Sequence, residues 1–130
     1  MLDSSEAVNS ALASDGFSLY ADHSLHAPSL LWWELNSVIR GYVRRGALSA
    51  EVGAQVVGRF VAHPIQRHDP TLELLDAART VAARLGWMTA YDATYLAVAL
   101  SIPGSRVVTR DEAMKRGAGW LVDIIGPAEL

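Results

Sequence analysis

The sequence predicts an α/β fold with helices packed around a mainly parallel sheet, and three observations carry that expectation. Apolar residues recur at 3.6-residue spacing over several long segments; short β-branched runs stand between them; and Gly, Pro or Asp-Gly breaks separate the two kinds. The 130 residues, 51% hydrophobic and 19% charged, fit one domain with a full core and are too apolar for a disordered tail.

Ser5 to Ala13 is expected to form a helix bearing Ala7, Val8, Ala11 and Leu12, closed by Asp15-Gly16, and Phe17 to Ala21 then reads as a strand. Leu25 to Pro28 is a short strand stopped by proline. The next helix places Leu31, Leu35, Val38, Ile39 and Tyr42 on one side and ends near Gly46. Another starts at Ser49, buries Val52, Val56, Val57, Phe60 and Val61, and closes at Pro64. The connector from Pro64 to Asp69 has room for one strand. Asp69-Pro70 has the form of a capped helix start, and Leu72, Leu75, Ala78, Ala82 and Leu85 run from it to a stop at Gly86. Thr89 opens a helix that Pro103-Gly104 ends. Arg106 to Thr109 is a buried strand, Asp111 to Arg116 a short helix, and Trp120 to Ile125 a last strand.

Composition excludes several kinds of chemistry. The absence of cysteine removes disulfides, thiolate zinc sites and cysteine nucleophiles. A net charge of −3 gives no bulk attraction for a polyanion, although local arginine clusters remain. His63 and His68 flank Pro64 to Arg67 at a spacing that suits no zinc motif. Gly16, Gly41, Gly46 and Gly86 form no phosphate-binding loop, and no Ser-His-Asp order is persuasive. The opening Met1-Leu-Asp-Ser-Ser-Glu has no basic-then-apolar leader pattern, so a cytoplasmic location is expected. Ala90 to Ile102, the most apolar stretch, is broken by Asp92 and falls short of the roughly 20 residues that span a bilayer.

Three acids stand where chemistry is possible. Glu34 shares the apolar arc of Leu31 and Val38, so its charge needs a partner; an ion pair with Arg40 or Arg44 and a functional role are both open. Asp92, three residues after Thr89, suits a helix cap, yet Tyr95, Leu96 and Ala99 put it at the helix's inner edge. Asp111 follows a strand and precedes a helix, which fits a cap and equally a residue at the crevice where α/β proteins bind ligands. If the three converge, their charges repel unless a hard cation holds them, and Mg²⁺ or Mn²⁺ is the economical solution. Trp32-Trp33 suits packing, with one ring inward and one at an interface, or base stacking. Arg40, Arg44, Arg45, Arg110, Lys115 and Arg116 suit phosphate contacts or solvated faces.

Three segments resemble the PIN-domain ribonucleases, and within them the VapC-like toxins of type II VapBC toxin–antitoxin modules: His26-Ala-Pro-Ser-Leu-Leu-Trp-Trp-Glu34-Leu-Asn-Ser-Val, Leu85-Gly-Trp-Met-Thr-Ala-Tyr-Asp92-Ala-Thr-Tyr-Leu-Ala-Val-Ala, and Val107-Val-Thr-Arg-Asp111. The resemblance implies a three-layer PIN-like domain and metal-dependent cleavage of single-stranded RNA. It gives Glu34, Asp92 and Asp111 the role of Mg²⁺ or Mn²⁺ ligands, and it implies a cognate antitoxin protein and a homodimer as partners. The family's first acid ends its central strand. Two readings of the start are open: Asp3, in Leu2-Asp3-Ser4-Ser5, is that acid in a shortened start, or the first strand is absent and Ser5 to Ala13 is already the second helical segment. Asp22-His-Ser24 has the same letters but lies too near Glu34 for the intervening helices. A catalytically degenerate PIN-like protein acting as an assembly or repressor-complex partner is the alternative function.

Overall fold

The computed structural model describes residues 1–87 and 89–130; Met88, within the second quoted segment, lies outside them. In chain order come α1 (Ser4–Leu12), a 3-10 turn (Ser18–Tyr20), β1 (His26–Pro28), α2 (Leu30–Arg44), α3 (Ala50–Ala62), β2 (Gln66–His68), α4 (Leu72–Leu85), α5 (Tyr91–Ser101), β3 (Val107–Val108), α6 (Glu112–Ala118), β4 (Ile124–Ile125) and a second 3-10 turn (Pro127–Glu129). The class is α/β, mostly helical, with short parallel strands. β1 pairs with β2 in the register Ala27 to Arg67, and β3 with β4 in the register Val107 to Ile124.

The segment Met1–Asp3 joins the two pairs. Leu2 N–H donates to the His26 carbonyl (3.1 Å) on one side, while Val108 N–H donates to the Met1 carbonyl (2.8 Å) and Asp3 N–H to the Val108 carbonyl (3.2 Å) on the other. Leu2 bridges Val108 in parallel and is fully buried. The hydrogen-bonded order is therefore β2, β1, Met1–Asp3, β3, β4, with Asp3 leaving the middle of the row. α1, α2 and α3 pack on one another, α4 packs on α5, and α5 also touches β1 and β3. α5 is apolar nearly all round because it is central: Ala93 and Tyr95 to Ala99 are all buried.

Several sequence expectations are corrected. Phe17 to Ala21 forms a 3-10 turn and not a strand. Three residues per turn put Phe17 and Tyr20 on one side, where both are buried, whereas a strand would send them to opposite faces. Asp69 is drawn to Arg67 (2.8 Å), and Thr71 caps α4 instead, accepting from Leu74 N–H at 3.1 Å. α4 packs through Ala78, Val81 and Ala82, which leaves Leu72 and Leu75 exposed. In α3 the buried arc is Gly53, Val56 and Phe60, with Val52 and Val61 outside, because Gly53 lets α3 approach Ile39 and Val43 of α2 closely. Val38 is likewise exposed at the rim of α2. Ala90, not Thr89, stands at the start of α5 and makes no side-chain cap bond. Of Trp120 to Ile125 only the last two residues pair as a strand; the Trp120 indole bonds the Gly117 carbonyl (3.0 Å) and the ring is exposed.

The Gly86 stop of α4 is as expected. Its φ of +70° is left-handed, a conformation glycine takes without a side-chain clash, and it ends α4 one turn before α5 must begin. Among the described residues no helix is long and apolar enough to cross a membrane.

Candidate functional site

Asp3 is both the end of the central segment and the cap of α1. Its Oδ1 accepts from Glu6 N–H (3.0 Å) and the Ser5 hydroxyl (2.8 Å), and its Oδ2 accepts from the Thr109 hydroxyl at the end of β3. Only 4% of the residue is exposed. Burial pushes its carboxyl above the usual value, the bonds from Thr109, Glu6 and Ser5 pull it back, and the nearby Asp111 charge pushes it up again.

Glu34 projects from α2 toward α5, where the Tyr95 hydroxyl donates to it at 2.6 Å. The partner is this buried phenol, and no ion pair with Arg40 or Arg44 forms. Partial burial raises the Glu34 carboxyl, the Tyr95 bond opposes the rise, and the Asp92 and Asp3 charges add to it. Tyr95 in turn is held protonated far above the ordinary phenol range, first by burial and then by Glu34. A core residue of α5 thus fixes the direction of an acid on α2.

Asp92 and Asp111 share a shallow cavity of about 180 Å³ with Trp87, Ala113 and Met114. Both are exposed. Asp111 caps α6, its Oδ1 accepting from Ala113 N–H (2.9 Å) and Met114 N–H (3.1 Å), while its own N–H donates to the Thr109 hydroxyl (2.9 Å). Asp92 lies in the first turn of α5, where the helix dipole favours its charge, and among the described residues no side-chain bond caps this helix. The four acids therefore lie in one electrostatic neighbourhood: Glu34 feels Asp92 and Asp3, and Asp3 feels Asp111.

As donors these groups suit a hard divalent cation, being oxygen ligands whose like charges already press two of them toward protonation. Among the described residues no three of the acids or histidines stand at mutual metal-ligand spacing. Mg²⁺ commonly takes only one or two carboxylates directly and keeps several waters, so the donor set fits such an ion by its chemistry.

Sequence reasoning missed a second acid of α1. Glu6 is 1% exposed, with Oε1 accepting from the Tyr20 (2.6 Å) and Ser10 (3.1 Å) hydroxyls and Oε2 from Arg110 Nε (2.6 Å). Arg110, expected on a solvated face or at a phosphate, is half-exposed and tied to this acid, and its N–H donates to the Ser5 hydroxyl (3.1 Å). The turn between β3 and α6, which carries Thr109 and Asp111, is thereby fastened to α1. The available signal was Glu6 and Ser10 interleaving with Ala7 and Ala11 at i, i+4 spacing, a polar pair inside an apolar arc.

The sequence matches no protein-family model and no curated protein.

Proposed function

We propose that the protein is a metal-dependent endoribonuclease of PIN type, with a three-layer arrangement of its helices and sheet, acting on single-stranded RNA as the toxin of a toxin–antitoxin pair. The observation that carries the reading is the electrostatic neighbourhood of Asp3, Glu34, Asp92 and Asp111, drawn from a central segment, two helices and a strand end. These four would hold Mg²⁺ or Mn²⁺, one or two of them directly and the others through its waters, and the bound ion would supply an activated water and charge stabilisation at the phosphate. Thr109 and Ser5 orient Asp3, Tyr95 orients Glu34, and the α6 start orients Asp111. A homodimer and a small antitoxin protein belong to the same proposal, as the sequence resemblance implies.

The experiment is a fluorogenic single-stranded RNA assay with Mn²⁺, alongside calorimetric titration of the ion. Cleavage is expected to stop with EDTA and to fall equally in Asp3→Asn and Asp92→Asn, and the pair Asp92→Asn with Glu34→Gln is expected to weaken ion binding. Cleavage that survives EDTA or ignores Asp92→Asn sinks the assignment. One observation favours a non-enzymatic assembly role: both Asp3 oxygens are already engaged within the protein. Ion binding without cleavage by the unaltered chain would decide for that role.

A further inference from the structure

Between α2, α4 and α5 lies a cavity of about 310 Å³, at the small end of the roughly 300–1,000 Å³ range of ligand pockets, lined by residues that include Leu30, Trp33, Leu75, Tyr91 and Thr94. Two aromatic rings frame it. Trp33 is 75% exposed and Tyr91 66% exposed, so neither serves the core. The neighbouring Trp32 does: its ring packs tilted against Phe60 with centroids 5.5 Å apart. The tryptophan pair therefore splits, one ring for the core and one for the surface.

The place of the cavity gives those rings a use. Leu30 and Trp33 lie one turn apart on α2, and Tyr91 and Thr94 one turn apart on α5. The next residue after Trp33 is Glu34, and the next after Tyr91 is Asp92. The cavity and the acids thus occupy adjoining arcs of the same two helices, whose spacing is fixed by the Tyr95–Glu34 bond. Ser29, whose side chain makes no cap bond to α2, and His68 add polar groups to the lining.

We infer that this cavity is a nucleobase subsite, in which one base of a single-stranded RNA stacks against Trp33 and Tyr91 while the adjoining phosphate lies toward Glu34 and Asp92. The inference rests on the proposed ribonuclease reading and names how that site holds its substrate. A flat π-face is what two exposed aromatic rings beside an apolar floor recognise, and stacking tolerates any base. An unpaired strand is required, because a base within a duplex presents only its edges.

The test measures binding apart from cleavage. A 2′-O-methyl RNA hexamer, checked to be intact on a denaturing gel after each titration, is titrated by fluorescence anisotropy against the full chain and against Trp33→Ala, Trp33→Phe and Tyr91→Ala, and the same hexamer carrying one abasic position serves as a second probe. The expected result is a loss of affinity of about 5- to 150-fold in either alanine variant, the range of one base–aromatic stack, with most affinity kept in Trp33→Phe. The abasic probe should bind the unaltered chain more weakly and gain nothing from Trp33. Unchanged hexamer affinity in both alanine variants overturns the subsite, and if the unaltered chain still cleaves RNA, the ribonuclease reading stands without it. A Trp33→Ala variant that turns a dimer into a monomer while binding the hexamer normally also overturns it, assigning the rings to an interface between copies of the chain.

Discussion

Replacing Glu6 by alanine is the sharpest test of what holds the site together. The substitution removes the acceptor that, among the described residues, serves the side chains of both Tyr20 and Ser10, each 3% exposed. A buried donor left without a partner costs about 1–3 kcal/mol, so two cost about 2–6 kcal/mol. The ion pair adds at most about 1 kcal/mol, because Arg110 is half-exposed and rehydrates when released. Glu6→Gln keeps a carbonyl oxygen for both hydroxyls but turns an NH2 donor toward the Arg110 Nε–H, so its expected cost is about 1–3 kcal/mol, less than that of the alanine variant. Tyr20→Phe removes one orphan in advance, and the double variant Glu6→Ala with Tyr20→Phe should therefore cost less than the sum of the two by about 1–3 kcal/mol. Urea unfolding followed by the fluorescence of the four tryptophans measures all of these. Additivity within about 0.5 kcal/mol, or a glutamine variant as damaged as the alanine one, would refute the accounting.

Other predictions follow from the acids and from one close approach. The carboxyls of Asp3 and Glu34 titrate above their ordinary values of 3.8 and 4.5, so above about pH 4 the folded state holds protons that the unfolded state has lost, and stability falls as pH rises toward the folded values. Asp3→Asn and Glu34→Gln should each flatten that fall in melting temperature scanned against pH; slopes equal to the unaltered protein's would contradict the shifts. Asp111→Ala should cost about 1 kcal/mol by orphaning the Ala113 and Met114 N–H groups, while Asp111→Asn keeps the cap and, on the proposed ribonuclease reading, loses RNA cleavage. Full cleavage by the asparagine variant would reduce Asp111 to a cap. Gly53→Ala sets a Cβ 2.8 Å from Val43 Cγ2 and 3.2 Å from Ile39 Cγ2, and the overpacking of about 1–3 kcal/mol should exceed a helix gain of about 1 kcal/mol. Adding Val43→Ala should restore part of that loss in urea; no recovery would place the strain elsewhere.

What the sequence determined by itself is local. Spacing and breakers located the helices of Leu31 to Tyr42, of Ser49 to Pro64 and of the segment ending at Gly86, because amphipathic period, capping hydroxyls and a left-handed glycine act within one or two turns of chain. It also singled out Glu34, since a carboxylate in an apolar arc needs compensation wherever the chain goes. Tertiary structure decided everything that depends on a distant neighbour. Periodicity identifies an apolar arc but not the packing partner, so only contact with α5 and α2 selected Ala78 over Leu72 and Gly53 over Val52. Asp3 has two apolar residues before it, too few to read as a strand, and it gained its place only when His26 and Val108 supplied hydrogen bonds from opposite sides. The remote partners of Glu34, Asp3 and Glu6 are Tyr95, Thr109 and Arg110, separated from them by 61, 106 and 104 residues. A hydrogen bond works over about 3 Å, and no pattern within a helix or strand specifies which remote side chain the fold will bring that close.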